Sequence, residues 1–105
     1  MDMFYALADP NRRRIVEMLA GSGQMTATAI SRNFDVSPQA ISQHLRVLLE
    51  AGLLIMNKNA QRHIYELNPE TVLQLEEWAR KTTEQWNSRL DRLDLMLKKQ
   101  STRRR

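Results

Sequence analysis

The stretch Ser37-Pro38-Gln39-Ala40-Ile41-Ser42-Gln43-His44-Leu45-Arg46-Val47-Leu48-Leu49-Glu50-Ala51-Gly52 spells out one short helix with both ends marked. Ser37 is a good N-cap, because its hydroxyl accepts from an orphan amide of the first turn. Pro38 then sits at the first helical position, where no amide hydrogen is needed. Gly52 follows the last turn and takes the left-handed conformation that closes a helix. Ile41, Leu45 and Leu48 recur at steps of four and three, which makes one apolar stripe. The opposite face carries Gln39, Ser42, Gln43, Arg46 and Glu50. That face is mostly neutral hydrogen-bonding groups plus one arginine, the side chains that read base edges in a DNA major groove. Alone, the same pattern also fits an ordinary amphipathic surface helix, so the flanking sequence decides.

Upstream, Phe4 and Leu7 suggest a first short helix. Asp9-Pro10 is a second cap-plus-proline pair. The helix it opens turns Ile15, Met18 and Leu19 inward and ends near Gly21-Ser22-Gly23. Arg12, Arg13 and Arg14 fall in its first turns, where positive charge opposes the helix dipole. Pairing with Asp9 or another carboxylate is the expected role of that run; reaching a DNA phosphate is the alternative. Thr26 and Thr28 offer caps for a short helix to about Asn33, with Ile30 facing inward, and Phe34-Asp35-Val36 makes a tight turn. A short helix, a turn and the 37–51 helix form the outline of a helix-turn-helix, whose second helix enters the major groove while the first braces it.

Downstream, the period changes from helical to alternating. Leu53-Leu54-Ile55-Met56, a polar turn, and Arg62-His63-Ile64-Tyr65-Glu66-Leu67 predict a β-hairpin, although the turn lacks an Asn-Gly or Asp-Gly pair. A hairpin directly behind a helix-turn-helix is the wing of a winged helix. Lys58, Asn59, Gln61 and Arg62 lie at its tip, as a solvated turn or as contacts to phosphates and the adjacent minor groove. Asn68-Pro69 is a third cap-plus-proline pair. It opens a helix whose Val72, Leu75, Ala79, Thr82, Trp86, Leu90, Leu93 and Leu97 recur at threes and fours out to about Lys99, with Trp78 and Trp86 eight apart and close to the same side. Some thirty residues make a rod of roughly 45 Å, longer than so small a domain covers. The expected cover for Leu75, Trp78, Thr82, Trp86, Leu90, Leu93 and Leu97 is the same helix of a second copy about a two-fold axis.

The bounds agree. At 105 residues the chain predicts one domain over 1–100, with a basic, disordered tail over 101–105. Hydrophobic residues make up 42% and charged residues 27%, ordinary for a soluble protein. No apolar run approaches membrane-spanning length and no signal peptide is visible, so the expected location is the cytoplasm and no membrane partner is expected. Cysteine is absent, which excludes disulfides, thiolate metal sites and cysteine redox chemistry. The net charge is +4, but residues 1–67 hold 7 Lys/Arg against 6 Asp/Glu, so bulk charge argues only weakly for nucleic acid.

The blocks Leu7-Ala8-Asp9-Pro10-Asn11-Arg12-Arg13-Arg14-Ile15, Ser42-Gln43-His44-Leu45-Arg46-Val47-Leu48 with Ala51-Gly52-Leu53, and Arg62-His63-Ile64-Tyr65 with Leu67-Asn68-Pro69 resemble the ArsR-type winged-helix transcriptional regulators. The resemblance covers nearly the whole chain. It implies a mainly α fold with a small β-hairpin, a winged helix-turn-helix with a long C-terminal dimerisation helix. It also implies a homodimeric repressor on a two-fold operator of double-stranded DNA. By that resemblance the base- and phosphate-contacting positions are Ser37, Gln39, Ser42, Gln43 and Arg46, with His44 in the same segment. His44 lies about 60° from the centre of the apolar stripe on an ideal wheel, so it packs at the edge of the core or bonds a phosphate.

The chain departs from the family's metal sensors. Where they carry thiols it reads Thr28-Ala29-Ile30-Ser31, and its terminal helix has Glu84, Asp91 and Asp94 but no histidine. The expectation is therefore no metal, no cofactor and membership of the non-metal-sensing branch, part of which answers to a regulatory protein partner. The wing turn also lacks the acidic residue plus glycine of many relatives. No nucleophile–base pair, phosphate-cradling glycine loop or paired carboxylates argue for an enzyme. The remaining alternative is a winged-helix protein-interaction module that binds no specific DNA.

Overall fold

The computed structural model describes residues 2–103. The chain is mainly helical with one small antiparallel sheet, in the order α1 (Met3–Leu7), α2 (Pro10–Ser22), β1 (Gln24–Thr26), α3 (Ala27–Ser31), α4 (Pro38–Glu50), β2 (Leu54–Asn59), β3 (Arg62–Leu67) and α5 (Pro69–Arg103). This is a winged helix-turn-helix followed by a long terminal helix.

Local chemistry sets the helix starts. Asp9 Oδ1 accepts from the amides of Asn11 (2.8 Å) and Arg12 (3.1 Å), Ser37 Oγ from Ala40 (3.1 Å) and Asn68 Oδ1 from Glu70 (3.2 Å), each just before a proline at the first helical position. The end of α4 is set as firmly. Gly52 has φ 77°, and the Leu53 and Gly52 amides donate to the Leu48 and Leu49 carbonyls, each at 3.0 Å, the two-bond closure of a helix by a left-handed residue. The Gly52 carbonyl accepts from the Thr71 hydroxyl at 2.6 Å, which ties the first turn of α5 to the end of α4.

The core collects one stripe from each helix and the inner face of the sheet: Ala6, Ile15, Leu19, Ile30, Ile41, Leu45, Leu48, Leu53, Leu54 and Tyr65. Burial pushes the Tyr65 phenol above its ordinary pKa.

The hairpin is one strand larger than expected. The sheet order is β1-β3-β2, with Gln24 opposite Glu66, Met25 opposite Tyr65 and Thr26 opposite Ile64. On its outer face Glu66 accepts from the Gln24 side chain at 3.1 Å and the Asn57 side chain at 3.4 Å. The two-residue wing turn, closed by the pair Asn59 and Arg62, is made with Ala60 at φ 57°, a conformation that usually falls to glycine.

The chain forms two compact units, Met1–Val72 and Leu73–Arg105. The described residues of the second unit are helix alone, and every side chain from Trp78 to Lys99 is exposed. A single helix has no second layer to bury its stripe against, so it forms no core. The helix also continues past Lys99. Of the expected basic tail, Arg104 and Arg105 lie outside the described residues.

Candidate nucleic-acid interface

The candidate site begins with the two faces of α4. Ile41 and Leu45 are 2% exposed and Leu48 is 0% exposed, which fixes the rotation of the helix about its axis. Gln39, Ser42, Gln43 and Arg46 are consequently exposed, as are Ser37 and Pro38 at its start. The face offers amide donors and acceptors, a hydroxyl and one guanidinium, a set able to match purine edges and phosphates.

The wing supplies the second group. Lys58, Asn59, Gln61 and Arg62 are all exposed around the turn, with Lys58 opposite His63 and Asn59 opposite Arg62 in the ladder. Between the wing and α3 lies a cleft of about 450 Å³ lined by Thr26, Thr28, Arg32, Gln61, Arg62 and His63, among others. The cleft brings Gln61 and Arg62 together with Arg32, a cation that sequence reasoning missed. Lys58, Asn59 and the α4 face are not part of its lining. Among the described residues, the ion pairs within 4 Å all lie on α5, so Arg32, Arg46, Lys58 and Arg62 enter none.

The arginine run of α2 departs from expectation. Arg12 is not paired to a carboxylate. Its Nε donates to the Ala6 carbonyl at 2.7 Å, its Nη2 to the Tyr5 carbonyl at 3.3 Å, and its Nη1 lies 3.3 Å from His44 Nδ1. The guanidinium also sits 5.5 Å from the Tyr5 ring centroid, and that of Arg14 lies 4.9 Å from the Phe34 centroid. At the end of α1 the Tyr5 carbonyl already accepts from the Ala8 amide at 3.1 Å; Arg12 adds a second donor there and supplies one to the Ala6 carbonyl. His44 is half-buried at the edge of the core, held by Arg12. Nearby, Asp9 is held below the usual carboxylate range. Partial desolvation raises its pKa, but the hydrogen bonds from the Arg12 and Asn11 amides and the positive charge of Arg12 outweigh that.

Along α5, Trp78 (52% exposed), Trp86 (58%), Leu90, Leu93 and Leu97 are exposed, as are Thr82 and, on α1, Phe4 and Tyr5. Leu75 is half-buried. Exposed charge pairs stiffen the helix, with Arg80 bonded to Glu77 at 2.6 Å and to Glu84 at 2.7 Å. Among the described residues no group of three or more His, Asp or Glu side chains is placed to hold a metal ion, and no helix is long and apolar enough to cross a membrane.

The comparisons with known proteins agree with this geometry. Residues 7–57 match a helix-turn-helix domain model. The chain is 41% identical over 73 residues to the transcriptional repressor SdpR of Bacillus subtilis, spanning 70% of this chain and 79% of that protein. It is 44% identical over 64 residues to the regulator Rv2034 of Mycobacterium tuberculosis, of whose length it spans 59%. Among solved structures, an ArsR-like transcriptional regulator from Rhodococcus sp. RHA1 superposes with a TM-score of 0.75 at 26% identity, covering 89% of this chain and 87% of that one. A possible transcriptional regulator for arsenical resistance does so at 0.71 and 39% identity, covering 78% and 84%. An exposed polar face on α4, a wing behind it and relatives of this kind point one way: the chain belongs to the ArsR-type winged helix-turn-helix transcriptional regulators, which bind DNA.

Proposed function

We propose that the protein is a homodimeric repressor of the non-metal-sensing branch, working in the cytoplasm on a two-fold operator. The observation that carries the reading is the exposed Gln39, Ser42, Gln43 and Arg46 face of α4, opposite three fully buried anchors. Gln39, Ser42 and Gln43 discriminate bases. Ser37, Arg46, Lys58, Asn59, Gln61 and Arg62 hold the backbone, and affinity is correspondingly salt-dependent. Arg32 joins them from the cleft between α3 and the wing.

The dimer reading is supported by the uncovered Trp78, Thr82, Trp86, Leu90, Leu93 and Leu97 of α5, continued inward by Leu75. Apolar surface of this extent on a water-facing helix calls for a partner surface. Two copies then present two α4 helices to half-sites about one helical turn apart, or a multiple of it. Repression follows from occupying the promoter, which is the role that the name of SdpR states for that relative.

The test is a footprint on the DNA directly upstream of the gene. A two-fold protected region is expected, with a scrambled duplex of equal length competing poorly; equal competition would overturn the reading. Gln43→Ala is expected to relax preference at one base position by about 1–3 kcal/mol, read by binding to a set of single-base operator variants.

A further inference from the structure

Arg12 makes four contacts that reach three elements. Its stem is in α2, its Nε and Nη2 take two terminal carbonyls of α1, its plane lies against the Tyr5 ring, and its Nη1 meets His44 in α4. The residue stands outside the exposed α4 face and the wing, yet it touches the helix that carries the reading face. We propose that Arg12 is a positioning residue for DNA recognition, gripping the end of α1 and the neutral ring of His44 together so that α4 meets the groove in one fixed attitude. The proposal rests on the reading that α4 enters the major groove.

The chemistry of the grip is restrictive. A guanidinium has donors and no acceptor, so the 3.3 Å contact is a hydrogen bond only if His44 Nδ1 presents a lone pair. The imidazole is then neutral, with its proton on Nε2. Protonating Nδ1 replaces the bond with two cations in contact. Around His44, α2 and its cap bring Arg12 and Asp9, with Arg13, Arg14 and Glu17 exposed farther along; α1 and its cap bring Tyr5 and Asp2, the cap of α3 brings Arg32, β2 brings Lys58, and α4 itself carries Arg46 and Glu50. Asp9 is held below the usual carboxylate range. A helix released from the grip must be ordered again on docking, which weakens binding.

This sets the proposal against a direct phosphate contact by His44, because the two predict opposite signs. A histidine bonded to a phosphate binds DNA more tightly when charged. A histidine gripped by Arg12 binds more weakly.

The experiment has two arms. The first needs no DNA: ring-nitrogen chemical shifts of His44 in the full chain at pH 7.5 are expected to show the Nε2–H tautomer, and a proton on Nδ1 would overturn the grip. The second measures affinity for the upstream duplex at pH 7.5 and 5.5 at constant salt, in a His63→Gln background that removes the only other histidine. Affinity is expected to fall about fivefold on acidification, the weight of one ordinary hydrogen bond. In Arg12→Gln that fall should vanish, with thermal unfolding confirming a folded protein. In His44→Asn, which keeps a neutral acceptor near the Nδ1 position and does not titrate, the ratio between the two pH values should be one whatever the affinity. Binding that is unchanged or stronger in acid, or a fall that persists in His44→Asn, would overturn the proposal. If no duplex binds at pH 7.5, the recognition reading fails, while the first arm still decides the grip.

Discussion

Helices α4 and α5 show two ways for a sequence to specify a helix. In α4 every turn is assigned: a serine cap, a proline, three buried anchors and a left-handed glycine within 16 residues. Its polar face is left over by construction and is free for a ligand. In α5 only the start is assigned, by Asn68 and Pro69, and the 35-residue helix carries a stripe that its own chain leaves uncovered. The contrast teaches that burial within one copy can define one helix completely, whereas a helix with an exposed apolar stripe is defined by what it lacks.

The sharpest way to break this contrast is to truncate one leucine on each helix. Leu48→Ala in α4, at 0% exposure, is expected to cost about 2–5 kcal/mol of unfolding free energy. Leu93→Ala, at 46% exposure in α5, is expected to change subunit unfolding far less and to shift the monomer–dimer balance instead. Denaturant unfolding with sedimentation at several concentrations reads both. Equal losses from the two would end the distinction.

The end of α4 gives the next effect. Gly52→Ala places a Cβ on a residue with φ 77°, 3.5 Å from Thr71 Oγ1. The contact is ordinary but the backbone is not, and a loss of about 1–2 kcal/mol is expected by chemical denaturation. A neutral result would mean that the left-handed closure is not what stops the helix.

Asp9 extends the comparison to α2, another helix marked at both ends. Asp9→Ala is expected to cost about 1 kcal/mol and Asp9→Asn much less, because both native and amide side chains cap well. The pH sign follows from its lowered pKa: the stabilisation is full above the ordinary aspartate value and is lost as pH falls through the depressed folded value. Acid unfolding of the wild type against Asp9→Asn checks it. The smallest effect belongs to the wing. Ala60→Gly relieves φ 57° and is expected to add about 0.5–1 kcal/mol, read as a modest rise in Tm.

The starts of α2, α4 and α5 were legible because each is a local signal: an oxygen-bearing side chain followed by proline. The exposed polar face of α4 was legible for the same reason, since three apolar positions fix it. What escaped is non-local. Strand β1 is three residues long, too short to show an alternation, and it exists because β3 offers a free edge 40 residues later. The Arg12 grip joins residues 32 positions apart, and nothing in a run of three arginines tells which one turns inward. Arg32 looked like the end of a short helix, and only the approach of the wing makes it part of a cationic cleft. The apolar stripe of α5 was legible, but a stripe records an appetite for burial and not where it is met.

The clasp of Glu66 by Gln24 and Asn57 has one further meaning. A ladder of backbone bonds is indifferent to slippage by two residues, since every second position shows the same donors and acceptors. A single carboxylate held by one amide from each flanking strand is not indifferent: sliding either neighbour by one repeat empties its place. The outer face of the sheet thus carries an index mark. It determines which two residues crest the hairpin, and with them the height at which Lys58 and Arg62 are delivered.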